Sequence, residues 1–173
     1  IRDSECVDNE GAAQRIPVAS PFASLSTAVA ECESFRRFLK QQFLLHPPSP
    51  EHPWNIILYS DEVTPGNPLA TMNNRKFQSV YWSFLELGTT ALSHEESWFV
   101  LMTEFSITVA KVSGGLSHVF AELIKSFFQP DGFHMMDGGI GLEIDGEHHR
   151  LFAKVGIVLQ DGGAHKVVWQ ARG

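Results

Sequence analysis

Apolar residues near the N-terminus recur at the spacing of one helix face, at positions 22, 25, 29, 32, 35, 39 and 43. Ser20 followed by Pro21 is a typical helix start, since proline suits the first helical position. Four prolines between positions 47 and 53 prevent the helix from continuing. The pattern therefore predicts one N-terminal helix that ends before a proline-rich boundary.

The stretch before this helix, "IRDSECVDNEG", is polar and predicts a flexible lead-in over residues 1–20. We therefore expect residues 1–50 to hold the lead-in and the N-terminal helix, and residues 51–173 to form a compact core. The chain begins at Ile1 instead of Met, and we expect it to be a fragment of a longer polypeptide.

Beyond the prolines, aromatic and β-branched residues cluster in segments that predict three strands, at 54–61, 76–86 and 97–107. Their connections are short enough for the three strands to be antiparallel neighbours. The first of them, "WNIILYSD", ends in a carboxylate that is followed at once by Glu62.

A helix and a fourth strand follow. After Gly114 and Gly115, apolar residues at i, i+3, i+4, i+7, i+8 and i+11 predict an amphipathic helix over 116–128. Asp145-Gly146 predicts a hairpin turn. A nearly apolar strand over 150–160 ends at Asp161, and a short helix is expected after it.

The order strand, strand, strand, helix, strand predicts a mixed α/β sheet. A strand that follows a helical crossover can lie parallel to an earlier strand. If the first and fourth strands are parallel neighbours, Asp61 and Asp161 emerge side by side at their carboxyl ends, where ligand sites of α/β sheets form. We expect the core to bury six residues: Ile57, Phe120, Leu123, Phe127, Val155 and Ile157.

Composition narrows the function classes. The chain has 173 residues, 43 % of them hydrophobic and 19 % charged, which is ordinary for one globular domain. No apolar run reaches the roughly 18 residues of a membrane span, so no membrane partner is expected. Two cysteines without metal-ligand spacing favour a reducing, intracellular home. The net charge of −7 argues against strong nucleic-acid binding by this piece alone.

Four segments, "ILYSDEVTPGNPL", "SVYWSFLELG", "GGLSHVFAELIKSFF" and "RLFAKVGIVLQDGGAHK", follow one another as blocks do in certain transposases. The chain resembles the ribonuclease-H-like catalytic core of cut-and-paste transposases of the Plavaka-like kind over residues 54–171. It departs from that family where "YWSFLELG" lacks an Asn-Leu-Pro ending and where Glu62, in place of Gly, follows the first aspartate.

The resemblance implies metal-dependent DNA cleavage and joining in the nucleus, with Asp61 and Asp161 as catalytic residues and ligands of Mg²⁺ or Mn²⁺. A third acid would lie beyond Gly173. DNA would be the partner of the parent protein, and a homo-oligomer is compatible with the sequence. Such chemistry uses two divalent ions about 4 Å apart, bridged by carboxylates, and hard ions of this type prefer oxygen ligands.

Less specific interpretations stay open. Asp61 can be a turn residue before Pro65-Gly66, and Asp161 a cap or turn before two glycines. Glu62 and His165 are expected to be solvated, and the pair His148-His149 to belong to the hairpin, because adjacent strand residues point to opposite faces. The rival function is a non-catalytic scaffold or interaction module, and an unrelated α/β domain is the third alternative.

Overall fold

A computed structural model of the chain describes residues 2–65, 75–129 and 133–160. The strands are β1 (Arg2–Val7), β2 (Ala13–Val18), β3 (Trp54–Val63), β4 (Phe77–Phe84), β5 (Phe99–Phe105), β6 (Ile140–Ile144), β7 (Glu147–Leu151) and β8 (Ala153–Leu159). The helices are α1 (Pro21–Glu31), α2 (Glu33–Leu45), α3 (Gly88–Leu92), α4 (Ser106–Lys111) and α5 (Gly115–Lys125), with short 3₁₀ helices at Leu85–Leu87 and Glu95–Ser97.

Six strands form one mixed sheet in the order β1-β2-β5-β4-β3-β8, and β6 pairs with β7 in a separate hairpin. Strand β4 lies antiparallel between β3 and β5, and β8 runs parallel to β3. The expected antiparallel neighbours and the parallel pairing of the first and last predicted strands are therefore confirmed. The coarse fold class, a mixed α/β sheet flanked by helices, is confirmed as well.

The hydrophobic core lies between one face of the sheet and the helices. Helix α5 ends at Lys125, three residues before the predicted helix end, and turns carry the chain on to Phe127. The ring of Phe127 meets the buried ring of Trp82 on β4 edge-on, with centroids 5.2 Å apart. Burial is confirmed for four of the six residues expected in the core, namely Ile57, Phe120, Leu123 and Phe127.

The prediction of burial is wrong for Ile157 and only partly met for Val155, and the order of the strands in the sheet explains why. Ile157 is 37 % exposed and Val155 is half-buried. Both lie on β8, which pairs only with β3 among the described strands and so forms an edge of the sheet. On its outer side, β8 has no neighbour among the described strands, so water reaches apolar side chains that a central strand would bury.

The N-terminal stretch is not a flexible lead-in. Strands β1 and β2 form an antiparallel hairpin, and Val18 of β2 pairs with Met102 of β5, so the hairpin extends the main sheet. The turn is stabilised by Asp8, whose Oδ1 accepts hydrogen bonds from the backbone N–H groups of Glu10 and Ala12. Apolar side chains of this hairpin enter the core, namely Cys6, Ile16 and Val18.

The single predicted N-terminal helix is two helices. Cys32 adopts extended backbone angles, φ −111° and ψ 99°, between α1 and α2. The guanidinium of Arg36 donates hydrogen bonds to the carbonyl oxygens of Val29 and Ala30, at 3.0 and 3.2 Å. These bonds satisfy carbonyls that the end of α1 leaves without helical partners, so the interruption costs little hydrogen bonding.

The predicted hairpin turn at Asp145-Gly146 is confirmed between β6 and β7. Both residues have positive φ, 52° and 79°, as a tight two-residue turn requires. The Asp145 carboxylate also lies 3.3 Å from the side-chain nitrogens of Arg36 and Lys40 on α2. These ion pairs hold the tip of the hairpin against the helix.

Candidate functional site

The two faces of β3 have different surroundings. Trp54, Ile56 and Leu58 belong to the core cluster on the helix side. Because successive residues of a strand point to opposite faces, Tyr59 and Asp61 lie on the other side of the sheet. We call that side the open face and define it by its exposed residues Tyr59, Asp61, Val100, Ile157 and Leu159.

Asp61 lies near the carboxyl end of β3, where the sequence predicts it. It is exposed and stands beside Ser79 of β4, which in turn pairs with Thr103 of β5. The hydroxyl groups of Ser79 and Thr103 are 3.1 Å apart and hydrogen-bond to each other. The Asp61 carboxylate makes no hydrogen bond or ion pair with the part of the chain that the structure describes.

Glu62, the next residue, is in a different situation. One carboxylate oxygen accepts a hydrogen bond from Lys76 at 2.8 Å. The other accepts from Gln78 at 3.1 Å and from the hydroxyl of Ser106, at the start of α4, at 2.9 Å. The hydrogen bond from Lys76 is the main cause that lowers the pKa of Glu62, against the opposing effect of partial burial. Glu62 therefore joins β3, β4 and α4, and its oxygens are already used.

The second predicted ligand, Asp161, lies outside the described residues, as does His165. The described part of β8 ends beside β3, where Leu159 pairs with Tyr59. In the sequence, Asp61 follows Tyr59 by two residues, and Asp161 follows Leu159 by two residues. Within residues 2–65, 75–129 and 133–160, no group of three or more His, Cys, Asp or Glu side chains could hold a metal ion.

The residues that are present fit a divalent ion only in part. Asp61 offers the hard carboxylate oxygens that Mg²⁺ and Mn²⁺ prefer. It is the single described member of the predicted pair, and the distance between the two carboxylates is therefore not defined. Asp61 and Asp161 remain a predicted ion site.

Aromatic side chains lie next to Asp61. The rings of Tyr59 and Tyr81 stack at 6.1 Å with an interplanar angle of 23°, and Trp98 meets Tyr59 edge-on at 6.2 Å. Sequence reasoning missed this group, although the alternation in "NIILYSD" and "SVYWSF" places the two tyrosines on one side of their strands. An exposed apolar and aromatic patch of this kind commonly marks an interaction surface.

Two histidines of the hairpin and both cysteines make contacts that belong to the surrounding fold. His148 bonds to Glu143 across the hairpin at 2.6 Å, and His149 packs against the ring of Phe43, as expected of hairpin residues. Burial raises the pKa of the Cys6 thiol. A hydrogen bond with Ser34 lowers the pKa of the exposed Cys32 thiol. Within the described residues, neither cysteine belongs to a group of side chains that could hold a metal ion.

A depression of about 490 Å³ lies at the opposite, amino-terminal end of β3. It is lined by His46, Pro47, Glu51, His52, Pro53, Trp54, Glu86 and Lys154. Both oxygens of Glu86 accept hydrogen bonds from Asn55. Hydrogen bonds from its own backbone N–H and from the side chain of Ser49 lower the pKa of Glu51. Glu51 and Glu86 thus form hydrogen bonds within the local structure, and they lie at the opposite end of β3 from Asp61.

No helix in the described part of the chain is both long enough and apolar enough to cross a membrane. No known protein family, curated protein sequence or solved structure matches the chain significantly.

Proposed function

We propose that this chain contributes a ribonuclease-H-like core to a transposase-like protein that cleaves and joins DNA strands with divalent metal ions. The observation that carries the proposal is the parallel pairing of β3 with β8. It is supported by Asp61, an exposed carboxylate near the carboxyl end of β3 with no partner among the described residues. Carboxyl ends of neighbouring parallel strands are the usual place for ligand sites in α/β sheets.

The order of elements supports the same proposal. Three antiparallel strands are followed by α5 and then by a strand parallel to the first of the three. This is the order on which the resemblance to the ribonuclease-H-like fold rests. Helix α5 lies in the connection between β5 and β8, together with α4 and the β6–β7 hairpin, and contributes Phe120 and Leu123 to the core.

In the proposed reaction, water or a DNA 3′-hydroxyl attacks the phosphorus atom of the scissile phosphate and releases its proton to solvent. The bond from phosphorus to the leaving oxygen breaks, and that oxygen takes up a proton from solvent. Bound divalent ions would stabilise the attacking and leaving oxygens. Asp61 would supply carboxylate oxygens on β3 and Asp161 on the continuation of β8, and a further acid of the parent protein would complete the set.

The test compares two neighbouring carboxylates on one strand. Mn²⁺ binding is measured by its effect on water proton relaxation and by calorimetry for the unmodified chain, Asp61→Asn, Asp161→Asn and Glu62→Gln. We expect weak Mn²⁺ binding. Each aspartate variant should reduce the affinity for Mn²⁺ by about tenfold or more, since losing even a residue that only supports a metal ligand costs about 10- to 100-fold in affinity. Glu62→Gln is the matched control and leaves binding unchanged, because its oxygens are engaged elsewhere.

Equal Mn²⁺ affinity in Asp61→Asn and in the unmodified chain would refute the ion site. In the intact parent protein, either aspartate variant is expected to abolish DNA cleavage while the melting temperature stays close to that of the unmodified protein. Cleavage that survives Asp61→Asn contradicts the catalytic role directly.

A second candidate function is a non-catalytic interaction module with the same fold. The exposed apolar residues of the open face favour it, and so does the net charge of −7, which opposes contact with DNA phosphates. It predicts that the chain binds no Mn²⁺ and that neither aspartate variant alters any activity of the parent protein. The same measurements therefore separate the two candidates.

A further inference from the structure

We draw no further inference here: the strongest candidate, the depression of about 490 Å³ at the amino-terminal end of β3, is lined mostly by exposed side chains of both charges, and nothing in the structure shows which ligand would fill it.

Discussion

Replacing Phe120 by alanine should strongly destabilise the fold. Phe120 lies on α5, is 1 % exposed and belongs to the core cluster between the helices and the sheet. Transfer of a buried phenylalanine side chain accounts for about 1.5 to 3 kcal/mol. The cavity left in a close-packed core adds to this, and buried Phe→Ala changes cost about 3 to 5 kcal/mol in total. That is a large share of the roughly 5 to 15 kcal/mol that stabilises a typical domain.

Urea unfolding followed by tryptophan fluorescence measures this cost, because Trp54 and Trp82 are buried in the same core. For a chain of this size the melting temperature should fall by about 6 to 20 °C, since each kcal/mol shifts it by about 2 to 4 °C. Phe105→Ala is the matched control: Phe105 is 54 % exposed on β5, and its loss should cost less than about 1 kcal/mol. A cost below about 1 kcal/mol for Phe120→Ala would refute its place in the core.

Three further outcomes follow from local geometry. A Cβ atom added at Gly156 would lie 2.6 Å from the side chain of Asn55 on β3, so Gly156→Ala should destabilise the fold by about 1 to 3 kcal/mol in thermal unfolding. Gly141→Ala is the control and should cost clearly less, because a Cβ atom at Gly141 meets open space. In thiol titration with a chromogenic disulfide, Cys32 should react quickly and Cys6 only after denaturation, and two fast thiols in the folded chain would contradict the buried position of Cys6. The lowered pKa of Glu62 means that its ionised form stabilises the fold at neutral pH and that this contribution is lost as pH falls through its folded pKa, below the ordinary value of about 4.3. The stability difference from Glu62→Gln should therefore shrink in acid, and a difference that is independent of pH would exclude this role.

Local periodicity determined much of the fold. The apolar spacing of α5, the alternation of β3 and β4 and the turn at Asp145-Gly146 depend on neighbours within a few residues, and each was predictable. The parallel pairing of β3 and β8 was predictable too, because a helical crossover returns the chain in the same direction. The position of Asp61 near the end of β3 follows from the same local pattern.

Contacts between distant parts of the chain decided the rest of the fold. The N-terminal hairpin forms part of the sheet because β2 pairs with β5, more than eighty residues later in the sequence, and the polar composition of β1 gives no sign of this. The interruption at Cys32 is tolerated because Arg36 reaches back to the end of α1. Neither partner is visible in a short sequence window.

The same division holds for the candidate site. The sequence places two carboxylates side by side, Asp61 and Glu62, but it does not tell which of them is engaged. That depends on Lys76 and Ser106, which the folded sheet and α4 bring to Glu62 and not to Asp61. The exposure of Ile157 was likewise beyond the sequence, because an apolar run has the same pattern at the centre and at the edge of a sheet. Only the order of the strands decides how much of the run water can reach.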